Sequence, residues 1–163
     1  MQTHDQVLIA LRQIIRAIDL HSKKLERESG LTGPQLLVMQ IIHDEGPVTS
    51  SVLARSVSLS QATVTTILDR LEKKAYLTRE RDNKDKRKVW VSLSDTGTQV
   101  LERAPALLQE SFVKSFGQMK EWEQSLLLSS LQRIASMMQA SDLEAAPVLD
   151  SSEERLVNTE HNE

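Results

Sequence analysis

Four histidines (His4, His21, His43 and His161) are the side chains of this sequence most suited to acid–base or metal chemistry. Their spacing serves neither: no pair has a metal-binding interval, no Ser-His-Asp order is visible, and no glycine-rich loop could cradle a phosphate. There are no cysteines, which excludes thiolate nucleophiles, Cys-ligated zinc, disulfides and thiol redox sensing. Asp69 and Asp85 are carboxylates in a basic setting, where ion pairing is their ordinary use. The expectation is a protein that is not an enzyme and that carries no cofactor and no metal.

The chemistry the residues do support is non-covalent. Lys84, Lys86, Arg87 and Lys88 fall within five positions of one another. Upstream lie Ser60, Gln61, Ala62, Thr63, Thr65 and Thr66, followed by Arg70, Lys73 and Lys74. Glutamine can pair with adenine through two hydrogen bonds, and threonine and alanine methyls can touch the thymine methyl. A guanidinium is drawn into a narrow A·T minor groove by its negative potential. Each residue also has a plainer use. Ser60 is a helix cap, Thr65 can bond back within a helix, and a run such as KDKRK can be a solvated loop.

Charge distribution alone favours the plainer reading of a solvated loop, and the order of elements along the chain has to decide. The 163-residue chain has a net charge of −3, which conceals its layout. Residues 49–91 hold ten Lys/Arg against five Asp/Glu, and residues 142–163 hold one against seven. A basic block beside an acidic extremity is the asymmetry of a nucleic-acid surface with a solvated tail.

The elements that would position these residues follow from periodicity. Five glycines and four prolines are too few for an all-β chain, and the five aromatics leave the core to aliphatic residues. Val7, Leu8, Leu11, Ile14, Ile15, Ile18 and Leu25 recur at helical spacing, and Gly30 supplies a stop. A second helix begins near Pro34 and ends at Gly46-Pro47. Thr49 or Ser50 caps a short helix bearing Val52, Leu53, Ala54 and Val57. After a turn at Ser58-Leu59-Ser60, a second short helix puts Val64, Ile67, Leu68 and Leu71 on one face, with Gln61, Thr63, Thr66 and Arg70 away from it. Two short helices with a tight joint form a helix-turn-helix, here over about residues 49–74.

The period then changes to two. Residues 76–81 and 88–93 read as strands around the charged tip DNKDKR, so that a β-hairpin wing spans about 77–93. Ser94 caps a long helical stretch in which Pro105 should introduce a kink, and Gly117 to Glu121 separates two helices. Apolar helices over about 4–29 and 95–140 need a partner surface, and a second copy of the chain is the simplest. The fold expected is mainly α with a small β-hairpin wing. In this layout a winged helix-turn-helix domain covers 4–140 and an acidic disordered tail covers 141–163. The N-terminus lacks the unbroken apolar run of a signal peptide or membrane span, so a cytoplasmic protein without membrane contact is expected.

The segment VTSSVLARSVSLSQATVTTILDRLEKKAYLTRERDNKDKRKVWVSLSDTG resembles the multiple-antibiotic-resistance regulator (MarR) family of winged-helix transcription factors. The resemblance is carried by Leu53-Ala54, Ser60 to Val64, Leu68-Asp69-Arg70-Leu71, Asp85-x-Arg87 and Leu93-Ser94-x-x-Gly97. It implies a homodimer with interlocking end helices that represses transcription from a pseudo-palindromic double-stranded DNA operator. The DNA-binding residues would be Ser60, Gln61, Ala62, Thr63, Thr65, Thr66, Arg70, Lys84, Lys86, Arg87 and Lys88, with Arg87 entering the minor groove. Two positions depart from the pattern: Thr66 stands where the family often has Arg, and Ala75 where a Gly commonly ends the recognition helix. The stretch IIRAIDLHSKKLERESGLTGPQLLVMQ is similar to the branch that represses synthesis and uptake of ectoine and glycine betaine. That similarity implies an osmotic stress role and a small-molecule osmolyte as effector, held near Asp19, His21, Ser22, Phe112 and Phe116. The competing reading is a dimeric winged-helix adaptor for protein partners without specific DNA binding.

Overall fold

A computed structural model describes residues 2–143, 145 and 147–152. Helix α1 (Thr3–Ser29) stops where Gly30 turns left-handed, at φ 68°. That conformation costs a glycine little and other residues more. Helix α2 (Gly33–Glu45) opens with a reciprocal cap. Thr32 Oγ1 accepts from the Gln35 N–H at 3.4 Å, and Gln35 Oε1 accepts from the Thr32 N–H at 3.2 Å. Next come strand β1 (Val48–Thr49), helices α3 (Ser50–Val57) and α4 (Gln61–Lys73), strands β2 (Leu77–Arg81) and β3 (Val89–Leu93), and helices α5 (Asp95–Arg103), α6 (Leu108–Gly117) and α7 (Glu121–Met137).

The three strands form an antiparallel sheet in the order β1-β3-β2. Leu77 pairs with Leu93 and Arg81 with Val89 across the hairpin, while Val48 pairs with Val91 on the other edge. The hairpin lies where the alternation of β-branched residues places it. Strand β1 has no such signal, being two residues long and defined by the β3 edge it covers.

The core is aliphatic, as the composition requires. Leu25, Leu31, Leu36, Val38, Met39 and Ile42 come from the first two helices. Leu53, Val57, Val64, Leu68 and Leu71 come from the helix pair, and Leu77 and Val91 from the sheet. Burying each such side chain contributes about 1.5–3 kcal/mol. Helix α2 is buried on most of its circumference between these neighbours, which is why it lacks a polar face.

Two expectations are corrected. Pro105 ends a helix instead of kinking one. Helix α5 stops at Arg103, Ala104 is extended (φ −67°, ψ 144°), and α6 starts only at Leu108. Proline lacks the N–H and forces its predecessor out of the helical region. Helix α4 ends at Lys73, close to the expected 74, and Ala75 beyond it adopts a left-handed φ of 58°. The acidic extremity is not structureless from residue 141. Val148 packs against the core, Leu149 N–H donates to Gln109 Oε1 at 3.4 Å, and Ser152 is buried. Residues 153–163, also assigned to a disordered tail, lie outside the described residues.

Helices α6 and α7 bury none of their described side chains within the chain. Phe112, Val113, Trp122, Leu126, Leu128 and Leu131 are exposed there, as are Val7, Leu8, Ile9, Ile14 and Ile15 on α1. No helix among the described residues is long and apolar enough to cross a membrane.

Candidate nucleic-acid interface

The joint between α3 and α4 depends on two local devices. Ser58 turns left-handed at φ 54° and its N–H closes α3. Ser60 then caps α4, its Oγ accepting from the Thr63 N–H at 3.1 Å and lying 2.7 Å from Thr63 Oγ1. With Val64, Ile67, Leu68 and Leu71 locked into the core, α4 has one possible outward face. Gln61, Ala62, Thr65 and Thr66 are exposed on it, and Ser60, Thr63 and Arg70 are half-buried at its border.

The hydroxyls on this face are already committed. Thr65 Oγ1 donates to Gln61 O at 2.9 Å, and Thr66 Oγ1 donates to Ala62 O at 3.1 Å. What they turn outward is a methyl group and an oxygen that can still accept. Gln61 Nε2 donates to Ser50 Oγ at 2.9 Å. This ties the start of α4 to the start of α3 and leaves one amide N–H and the carbonyl oxygen for a base edge.

The wing tip, residues 82–88, is organised by two carboxylates. Asp82 Oδ1 accepts from the backbone N–H of Lys84 (2.7 Å) and of Asp85 (2.9 Å), while Oδ2 accepts from Trp90 Nε1 at 2.9 Å. The Trp90 bond, followed by the two backbone bonds, lowers the Asp82 pKa from 3.8 to about 2. Asp85 Oδ1 accepts from the Arg87 backbone N–H at 3.1 Å. It therefore shapes the main chain that carries Arg87 and leaves the guanidinium alone. Lys84, Lys86, Arg87 and Lys88 are all exposed.

Asp69 also faces its own lobe. It accepts from Arg79 on β2 at 2.6 Å, and Glu72 lies 3.6 Å from the Arg79 Nε. Two acids on the third and fourth turns of α4 thereby grip the wing strand, so α4 and the wing form one unit. Lys74 Nζ donates to Gly30 O at 2.5 Å and sits 5.9 Å from the Tyr76 ring centre, which gives it a structural task. The sequence reading missed Asp82, Arg79 and Ser50. Only Asp82 had a local signal, an aspartate two residues before a turn amide, which is the Asx-turn pattern.

The five residues named for an effector separate into two groups. Asp19 pairs with Arg16 (3.3 Å) and Lys23 (2.9 Å), and Ser22 Oγ donates to Ile18 O at 2.9 Å. Both are covered by the C-terminal segment, with Ser151 N donating to Ser22 Oγ at 3.0 Å and Ser151 Oγ 3.5 Å from Asp19 Oδ1. His21 Nε2 is buried with no hydrogen-bond partner among the described residues. Phe112 and Phe116 stack on one another along α6, 5.4 Å apart at 28°. An open groove of about 500 Å³ on α1, lined by Ile9, Arg12, Gln13, Arg16, Ala17 and Leu20, contains none of the five.

Residues 31–89 match the sequence pattern of the MarR family. A curated relative from Bacillus subtilis (strain 168), the uncharacterized HTH-type transcriptional regulator YkoM, is 26% identical over 118 residues, or 72% of this chain and 77% of that one. The fold is similar to a MepR-like protein crystallised with pseudoligands (TM-score 0.61, 23% identity, 84% of this chain and 97% of that one). It is also similar to a mutant of MarR from E. coli crystallised with operator DNA (TM-score 0.53, 21% identity, 80% and 91%).

Proposed function

We propose that the chain is a winged-helix transcriptional regulator of the MarR family, whose sequence pattern residues 31–89 match, and that it is a homodimeric repressor binding a pseudo-palindromic DNA operator. One observation carries the reading. The half of α4 that is free of the core is polar and exposed at Gln61, Ala62, Thr65 and Thr66, and it is clamped to a wing whose Lys84, Lys86, Arg87 and Lys88 are all exposed. Bound operator DNA in the E. coli MarR mutant supports the same use of this fold.

In the major groove, Gln61 reads adenine through its remaining amide N–H and oxygen, while Ala62, Thr65 and Thr66 present methyls to thymine. Ser60 and Thr63 set the helix N-terminus, whose free N–H groups favour a phosphate. Arg70, Lys84, Lys86 and Lys88 contact the backbone, and Arg87 enters the minor groove. Exposed apolar side chains on α1, α6 and α7 support dimerisation, since a contiguous apolar surface of this kind is seldom left to water. The similarity of residues 14–40 to compatible-solute repressors supports osmolyte synthesis and uptake genes as targets. An osmolyte, or ionic strength itself, would then be the signal.

The deciding experiment is footprinting with purified dimer upstream of neighbouring genes across a salt series. A dyad-symmetric footprint is expected, with half-site centres about 10–10.5 base pairs apart. Arg87→Ala should weaken binding and flatten the plot of log affinity against log salt by about one unit. A footprint without dyad symmetry overturns the operator reading. Weak, salt-insensitive binding favours the protein-adaptor alternative.

A further inference from the structure

We infer that residues 148–152 are a clasp that sets the orientation of the DNA-reading lobe against the end helices. This rests on the proposed operator binding for its functional consequence, although not for its existence.

The clasp is built around the start of α2. Thr32 O and Thr32 Oγ1 satisfy the N–H groups of Leu36 and Gln35, and Pro34 has none. The one remaining donor of that first turn is the N–H of Gly33, which is buried and donates to Asp150 Oδ2. A buried N–H without an acceptor is costly, so Asp150 completes the helix start from 117 residues away. The carboxylate is itself prearranged, its Oδ1 accepting from the Ser152 N–H at 2.8 Å and the Ser152 hydroxyl at 2.5 Å. Burial alone would raise its pKa, but these bonds and those from Ser22 and Gly33 outweigh it and hold the group ionised.

The neighbouring residues reach different helices. Ser151 N–H donates to Ser22 Oγ on α1, and Leu149 N–H donates to Gln109 Oε1 on α6. Five residues thus join α1 and α6, which belong to the end helices, to α2, which packs on α3, α4 and β3 in the reading lobe. Gly33 is the seat of the clasp in a steric sense as well. A Cβ there would lie 2.7 Å from Asp150 Oδ2 and 2.9 Å from its Cβ. Glycine at the first position of α2 is therefore a requirement of the docked segment rather than of the helix, whose interior disfavours it. A dimer must align two recognition helices at once, and a lobe fixed beforehand loses less freedom on binding.

Two substitutions break the clasp from opposite sides. Asp150→Ala removes the acceptor, and Gly33→Ala excludes it while leaving the tail sequence intact and favouring helix. In the full-length protein, hydrogen exchange of residues 18–36 should rise in both variants, with the double variant no different from either single one. Operator affinity should fall about three- to tenfold in each, the scale of reordering a few side chains on binding. Wild-type exchange in both variants overturns the clasp. Raised exchange with unchanged operator affinity overturns its role in setting the lobe. Absence of operator binding by the wild type defeats the operator reading, while the exchange comparison still decides whether the clasp exists.

Discussion

Gly97→Ala should damage this fold more than any other substitution of one methyl group. A Cβ at position 97 would lie 2.8 Å from the carbonyl carbon of Tyr76, 3.1 Å from its Cα, and closer still to its carbonyl oxygen. Carbon atoms prefer about 3.5–4.0 Å, and the obstacle is backbone, which cannot rotate aside. The first turn of α5 would have to retreat from Tyr76 by ~0.7 Å to clear the carbonyl carbon alone, and further to clear the oxygen. Two hydrogen bonds span that gap: Ser94 N–H to Tyr76 O at 3.0 Å and Ser94 Oγ to Ala75 O at 2.6 Å. Overpacking costs about 1–3 kcal/mol, and each hydrogen bond weakened costs about 0.5–1.5 kcal/mol. The sum is about 2–6 kcal/mol, a large share of the roughly 5–15 kcal/mol available to a domain. Urea denaturation of the wild type and of Gly97→Ala measures it. Gly117→Ala serves as the control, because a Cβ there meets nothing within 4 Å; it should be neutral or stabilising by under about 1 kcal/mol. A Gly97→Ala loss below about 0.5 kcal/mol would refute the close approach of α5 to Tyr76.

Ala75→Gly should stabilise the protein. Relief of a left-handed φ of 58° returns about 1–2 kcal/mol, and the greater freedom of unfolded glycine subtracts about 0.5–1 kcal/mol. A gain of up to about 1.5 kcal/mol in thermal or urea unfolding is expected, and a loss would contradict it. The wing tip should titrate in acid. The folded-state pKa of Asp82 is depressed, so its contribution is complete above 3.8 and is lost as pH falls through about 2. The indole N–H resonance of Trp90 should hold its position down to 3.8 and move only below it; a midpoint at or above 3.8 would show that the Asp82–Trp90 bond is absent. Ser60→Ala should cost about 1 kcal/mol by removing the cap of α4, and an unchanged unfolding midpoint would mean that Ser60 is not the cap.

What could be read from the sequence followed locality. The caps at Ser60 and Ser94 were legible because a cap needs only the next three residues. The hairpin was legible because Val89, Val91 and Leu93 alternate. The left-handed turn at Ala75 showed only in the family resemblance, where Gly commonly stands, since alanine itself gives no sign of it; in the fold Ser94 Oγ donates to Ala75 O and Gly97 lies against Tyr76. The Leu93-Ser94-x-x-Gly97 motif carries part of the family resemblance and acquires its cause only in three dimensions. Serine there both starts α5 and holds the end of α4, and glycine lets the two approach. The fate of Asp150 was still less legible. Composition places it in a stretch poor in apolar residues, while its partner Gly33 is far away in the chain.

The same distinction governs the charges. The basic block has five acids, and four of them engage donors of their own lobe. Asp69 and Glu72 hold Arg79, Asp82 takes Trp90 and two backbone N–H groups, and Asp85 takes the Arg87 backbone. Sequence counts them against the cations beside them, whereas the fold uses them to shape the wing. Lys84, Lys86, Arg87 and Lys88 stay exposed, and among the described residues none of them enters an ion pair. The acids are thus engaged by donors of the lobe, while these four cations remain open to solvent. A surface of that kind attracts an anionic polymer at a range set by the Debye length, about 8–10 Å at ordinary salt. At that range the block's excess of ten Lys/Arg over five Asp/Glu sets the attraction, and the placement of the individual charges matters only at contact.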